Sequence, residues 1–357
     1  MEASLTDNAS YSQLRPPRQY PRRAPNVFNA ISQDIELLRW FYRLISEPSV
    51  EVPSEGFIYL PHCYAFDGRF LLDDELNWVE PTLADWAVGD DVKQWIGDSI
   101  KQGSATESNQ SGTEWYYVLF AQCNAENYGH FLCEAAPKLL NIFQAGFKKV
   151  RYILPANCAH YQSFISDILT HIGIVSEAVI IPKASITGWS DLLYFTPVSQ
   201  HDFRKSPTLL EFRDVALSRF GHKGAATRKF LIQRAETDRR RVANDRELAA
   251  SLDDLGYEAV YPGKMTIGEQ IDLFSQASDV VGSVGAGLTN IVYCPSEVRT
   301  VYVCNGLIDP FFWDISGLCE QSFTWFFACP PQRFSQAHFI RNYDVDLPSL
   351  RAAIAQS

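Results

Sequence analysis

The chain has 357 residues, 46% of them hydrophobic and 20% charged, with a net charge of −11. That is the balance of a folded globular protein with room for two domains. Its acidic excess excludes a broad nucleic-acid surface, which would need Lys and Arg against phosphates.

Residues 1–26 read as a disordered basic arm. Arg15, Arg18, Arg22 and Arg23 lie among prolines with no acid nearby, and proline interrupts both helices and ladders. Such an arm is either a solvated tail or a peripheral contact for an anionic membrane surface. Residues 27–206 are expected to form a first lobe. It holds apolar residues at helical spacing over 31–44, a strand in GFIYLPHCYAF and a polar loop over 101–114. A strand at EWYYVLFA, a helical run over 130–146, strand VRYILP, a helix over 158–172 and strands AVIIP and DLLYFTP follow. Strands alternating with helices imply parallel βαβ units.

A helix over 207–220 opens a second lobe, expected to span 207–330. KFLIQR, YEAVYP, DVVGSV, RTVYVC and FTWFFACP are its strands. Asn244 is placed to cap the helix DRELAASLDDLG, which Gly256 ends, and Thr266 with Glu269 forms a capping-box spacing. The fold class expected is α/β, with two Rossmann-like lobes and doubly wound, mostly parallel sheets. Residues 331–357 are expected to return to the first lobe.

The eight cysteines show no paired metal or redox spacing and suit a reducing compartment. No apolar leader follows Met1 and no apolar run reaches membrane length, so a cytoplasmic location is expected.

Three segments carry chemistry. In DVVGSVGAGLTN (279–290), a buried strand ends in a glycine turn that runs into a helix. The N–H groups of Gly285, Ala286, Gly287, Leu288, Thr289 and Asn290 would suit an anion such as a diphosphate. In KFLIQRAETDRRRVAND (229–245), Arg234 follows a strand, and Arg239, Arg240 and Arg241 complete a positive island near Asn244. The planar guanidinium fork matches phosphate oxygens. In ENYGHFLCEAAPKLL (126–140), His130 and Glu134 lie four apart and so share a helix face, as a base and its orienting carboxylate or the reverse. Asn127 and Tyr128 precede them, and Pro137 should disturb the helix. The plainer accounts are close strand–helix packing, a solvated basic turn and a structural His–Glu pair. Asp344 and Asp346 form the only Asp-x-Asp pair of note, on the C-terminal segment, and are set aside.

These motifs, in this order, resemble glycosyltransferase family 61. That family includes plant β-1,2-xylosyltransferases, O-linked N-acetylglucosamine transferases of the secretory pathway and bacterial capsular polysaccharide biosynthesis proteins. NYGHFLCEAAPKLL is similar to its Asn-x-x-His-Phe segment, LIQRAETDRRRVAND to its strand-Ser-Arg segment and GSVGAGLTN to its His-Gly-Ala-Gly-Leu-Thr-Asn stretch. Val284 stands where the family has His, Gln233 where it has Ser and Asp245 where it has Glu.

The resemblance implies a GT-B architecture and an inverting transfer from a nucleotide-sugar co-substrate, UDP-sugar favoured; with no Asp-x-Asp pair in a convincing site, a metal-independent reaction without a cofactor is expected. The acceptor would be a glycan or lipid-linked glycan at the inner membrane face, in cell-surface polysaccharide or capsule synthesis. His130 or Glu134 would be the base. Arg234, Arg239 to Arg241, Asn244 and Gly285 to Asn290 would bind the donor, with Asn127 and Tyr128 on the acceptor side. The rivals are a non-catalytic nucleotide-sugar-binding protein and a phosphoryl or pyruvyl transferase on the same fold. A nicotinamide oxidoreductase fits the glycine spacing poorly.

Overall fold

The computed structural model describes residues 10–79, 82, 90–103, 105–107, 114–122, 124–199, 204–234, 239–333, 335 and 340–356. The chain divides into two compact units. One comprises Met1–Arg18 and Val52–His201, the other Gln19–Glu51 and Asp202–Ser357. Both are α/β.

The second unit is built on a six-stranded sheet in which every pairing is parallel. Its order is Tyr257–Val260, Arg228–Ile232, Ala277–Ser283, Arg299–Cys304, Ser322–Phe327, Asn26–Phe28. Strands covered on both faces read as unbroken apolar runs, and Phe230, Val280, Val281, Val301 and Trp325 are accordingly buried. Burying each such side chain stabilises by ~1.5–3 kcal/mol. Helices Thr208–Phe220, Ile267–Phe274 and Phe311–Leu318 pack around the 3₁₀ helix Ala286–Tyr293. Asp245–Asp253 packs with the C-terminal helix Leu347–Gln356. Helix Phe311–Leu318 is buried along its whole length, so it has no polar face to mark it in the sequence. The chain runs from Arg228–Ile232 out to one edge, then returns past it to Ala277–Ser283. The sheet therefore has a topological switch point between these two strands, the place where open α/β sheets bind ligands.

The sheet of the first unit runs Ser10–Arg15, Glu55–Phe66, Ile186–Phe195, Tyr116–Leu119, Lys149–Pro155, Val175–Ile181. The last four are mutually parallel and the first two pair antiparallel. Tyr116–Leu119 is the switch strand, with Lys149–Pro155 on one side and Ile186–Phe195 on the other.

Three expectations are corrected. Over residues 10–26 the N-terminal segment is not a disordered arm, since Ser10–Arg15 pairs with Glu55–Phe66 from Ser10 opposite Tyr59, and residues 1–9 lie outside the described residues. Its arginines have internal partners. Arg18 meets the buried Glu55 at 2.8 Å, and Arg15 Nε donates to Asn141 Oδ1 at 2.9 Å. Arg22 pairs with buried Asp314, lies 4.7 Å over the Trp313 ring, and reaches Glu47 at 3.5 Å. Burial raises the Asp314 carboxyl to about 6 despite the opposing pull of Lys205 and Arg22. These acids are remote in sequence, so the absence of a local acid was misleading. Arg23 pairs at the surface with Glu320, at 3.8 Å.

Second, the N-terminal lobe does not begin at residue 27, because residues 19–51 belong to the second unit. Buried Phe41 of helix Ile35–Ile45 lies edge-on to Trp325 at 5.1 Å and to Phe327 at 5.5 Å. Third, the C-terminal segment stays in the second unit. Tyr343 N donates to Arg241 O at 3.0 Å, and Ala243 N donates to Tyr343 O at 2.7 Å.

Candidate active site

At the carboxyl edge of the second unit, Arg234 follows the strand Arg228–Ile232 and Gly285 follows Ala277–Ser283, so the two flank the switch point. Arg234 Nη1 donates to Arg239 O at 3.0 Å and to Val284 O at 3.3 Å. A Cβ on Gly285 would sit 3.3 Å from Arg234 Nε, so the glycine allows the guanidinium to lie against the turn. Gly282 serves packing instead, since a Cβ there would be 2.8 Å from Leu288 Cδ1.

Arg240 lies close by in a left-handed conformation, φ 55°. Burial first, and the Arg240 charge second, hold the Arg234 guanidinium below its ordinary value. Burial likewise lowers Arg240, against the opposing influence of Tyr302, Asp309 and Tyr343. Two half-buried guanidiniums that repel each other would be relieved by a multiply charged anion placed between them.

Other expected donor residues are differently occupied. Arg241 is exposed and pairs with Asp245 at 3.6 Å. Asn244 does not cap its helix with its side chain. It clamps Val345 instead, Nδ2 donating to Val345 O at 2.8 Å and Oδ1 accepting from Val345 N at 3.0 Å. Within the turn, Gly285, Ala286 and Gly287 are half-buried, whereas Leu288, Thr289 and Asn290 are fully buried. Asn290 Nδ2 donates to Gln270 Oε1 at 2.7 Å and Gly287 O at 3.0 Å, bracing the turn from within. The helix expected there is 3₁₀. Gln233 links the strand to the next helix, its Nε2 donating to Asp245 O at 3.2 Å while its Oε1 accepts from the Tyr261 hydroxyl. The capping box of Thr266 and Glu269 is present as expected.

In the first unit, the segment after the switch strand Tyr116–Leu119 carries His130 and Glu134. Asn127 Oδ1 accepts from Gly129 N at 2.9 Å and starts a helical turn, with Tyr128 half-buried beside it. Phe131–Ala135 is a π turn, closed by Ala136 N donating to Phe131 O at 2.8 Å. Pro137 accounts for this, because it has no N–H for Cys133 O and its ring would clash there. π turns are frequent at functional sites. Across this turn His130 Nδ1 lies 3.0 Å from Glu134 Oε1, with the two side chains 14% and 4% exposed. Phe131 stacks on Tyr161 with centroids 3.8 Å apart and fixes the segment.

Sequence reasoning missed Lys138. It is fully buried, four residues beyond Glu134, and its Nζ has no hydrogen-bond partner among the described residues. Its signal was the spacing 130, 134, 138, hidden because PKLL was read as an apolar helix. Asp309, which acts on Arg240 from beyond the strand Arg299–Cys304, was missed as well. Its signal was a position just past a strand's carboxyl end.

Among the described residues no helix is long and apolar enough to cross a membrane, and no disulfide joins the described cysteines.

A model of the family described as Glycosyltransferase 61 matches residues 128–302, a span holding both the His130–Glu134 pair and the arginine–glycine edge. No curated protein matches the chain. Among solved structures, E. coli heptosyltransferase WaaC with ADP is similar at 11% identity and a TM-score of 0.30, over 68% of this chain and 99% of that one. The motifs that raised the resemblance lie inside the matched span, and residues 128–302 carry a glycosyltransferase family 61 domain.

Proposed function

We propose that this glycosyltransferase moves a sugar, with inversion, from a nucleotide-sugar of the UDP class to a hydroxyl of a glycan or lipid-linked glycan acceptor. The setting is synthesis of a cell-surface polysaccharide at the cytoplasmic face of the membrane. The observation that carries the reading is half-buried Arg234, lying against Gly285 at the switch point, with the charge of half-buried Arg240 acting on it.

In the reaction, the acceptor oxygen bonds to the anomeric carbon from the face opposite the diphosphate. The bond from that carbon to the diphosphate oxygen breaks, and its electron pair leaves with the diphosphate. His130 takes the hydroxyl proton, and Glu134 orients the ring and stabilises the imidazolium that forms. Arg234, Arg240 and the backbone at Gly285 to Gly287 stabilise the growing diphosphate charge, with Arg239 at the exposed rim.

The test is a thermal-shift screen against UDP-, GDP-, CMP- and dTDP-sugars and NAD, repeated with Arg234→Ala. A ligand at a hundred times its dissociation constant stabilises by about 2.7 kcal/mol. A shift with UDP-sugars that is lost in the variant is expected. A shift with NAD alone sinks the reading.

A second reading, a non-catalytic nucleotide-sugar-binding protein, is favoured by Val284. This buried side chain offers no hydrogen bond where the resembled motif has His, and only its carbonyl is engaged, by Arg234. Nucleotide-sugar binding by the wild type without transfer of the sugar, and unaltered in His130→Ala and Glu134→Ala, would support it.

A further inference from the structure

Glu134 stands between two groups able to carry a positive charge, His130 four residues before it and Lys138 four residues after it. His130 Nδ1 lies 3.0 Å from Glu134 Oε1 across the π turn, and Lys138 opens the helix Lys138–Gln144 that follows it, with Glu134 and Lys138 both buried. We propose that Lys138 is a positioning residue that sets the strength of the base: a proton on its amine compensates the Glu134 charge and weakens His130, and loss of that proton strengthens it. This rests on the reading of His130 as the base.

The geometry supplies the argument. Lys138 is 0% exposed, and its Nζ finds no hydrogen-bond partner among the described residues, so it acts on Glu134 through charge alone. From the neighbouring strand Ile186–Phe195, the Tyr194 ring lies 5.1 Å from Nζ, and burial holds that phenol above its ordinary value. The next turn of the helix presents Asn141, whose side chain is occupied by Arg15 at 2.9 Å and Glu55 at 3.1 Å. Glu134 is therefore the charge that works on Lys138. Burial pulls the amine down to about 7 and Glu134 opposes that pull. A group poised there changes charge in the range where a transferase works, whereas an ordinary lysine stays protonated throughout.

The arrangement has chemical sense. A carboxylate shared between an imidazole and an ammonium lends each less support than it would lend one alone. A base that must accept a proton from a hydroxyl gains from an uncompensated carboxylate behind it.

The experiment is an NMR titration of the histidine ring carbons in the full chain, with His130 assigned through His130→Gln. Wild type is compared with Lys138→Met, which fills the same volume without charge. The His130 curve is expected to move to higher pH by about half a unit to one unit in Lys138→Met. Coincident curves, or a move to lower pH, overturn the proposal.

The folded wild type supplies a second measurement should that variant fail to fold. The 13Cε signal of Lys138 should titrate at lower pH in Glu134→Gln, and an unchanged midpoint also overturns the proposal. The two readings fail separately. Sugar transfer from a UDP-sugar that survives in His130→Gln removes the base role and leaves the NMR coupling standing. Transfer lost in His130→Gln with coincident titration curves removes the Lys138 role alone.

Discussion

Arg234 donates from Nη1 to the carbonyl of Val284, 3.3 Å away across the switch point. This bond fixes the guanidinium beside the glycine turn, with the Nη1 contact to Arg239 O on its other side. In the proposed donor site, removing the side chain would take away a charged contact to the diphosphate, and such bonds contribute about 1.5–3 kcal/mol. Arg234→Ala is expected to raise the dissociation constant for a UDP-sugar about ten- to a hundredfold, measured by calorimetry. Arg234→Lys should recover only part of this, because an ammonium lacks the planar fork.

Gly282 and Gly285 should separate stability from binding. A methyl group at 282 meets Leu288 Cδ1 at 2.8 Å inside the packed strand–helix junction. Gly282→Ala is expected to lower stability by ~1–3 kcal/mol in a urea melt. A methyl group at 285 meets Arg234 Nε at 3.3 Å. Gly285→Ala should weaken UDP-sugar binding and leave the melt nearly unchanged.

His130→Ala and Glu134→Gln are expected to lower kcat by about 10²- to 10⁴-fold. The thermal shift given by the donor should stay within error of wild type for both. The paired result is what distinguishes a proton-transfer group from a donor ligand.

Lys138 also predicts a stability profile. Its amine is lowered from 10.5 to about 7 in the folded chain, so between these values the unfolded chain binds more protons. Stability therefore rises with pH in that window, by at most about 1.4 kcal/mol per unit. Denaturant melts at pH 7 and pH 9 should differ by roughly 2–3 kcal/mol in wild type, and Lys138→Met should remove most of that difference.

Asn244 holds the C-terminal segment through two bonds to Val345, at 2.8 and 3.0 Å. Asn244→Ala is expected to cost about 1–2 kcal/mol and to expose amides near Tyr343 to hydrogen exchange, with UDP-sugar affinity unchanged.

The alternation of strands and helices was legible because parallel strands buried on both faces are continuous apolar runs, as in VVGSV and RTVYVC. Thr266 and Glu269 were legible as a capping box because its signals are three residues apart. That Arg234 and the glycine turn follow strands of the second unit was legible from the apolar runs that precede them. What stayed hidden was non-local. Arg22 finds Asp314 across 292 residues, and nothing near Arg22 announces it. Asn244 looked like a helix cap because Asn suits that position, and a tertiary partner, Val345, claimed both ends of its amide. Lys138 was invisible as chemistry because burial, the property that perturbs it, is not written in its residue type.

The strand Asn26–Phe28 completes the edge of a sheet whose other strands come from the far half of the chain, with Asn26 and Thr324 separated by 298 residues. A ribosome delivers this strand long before its docking site. Nascent residues 19–51 thus wait for Ser322–Phe327 before they can settle, and the second unit closes only after that strand has emerged. Closure over so long a separation is slow. No single cut in the polypeptide frees this unit whole, so a fragment beginning after residue 201 would carry an open edge beside Trp325 and Phe327 and invite strand addition from other chains.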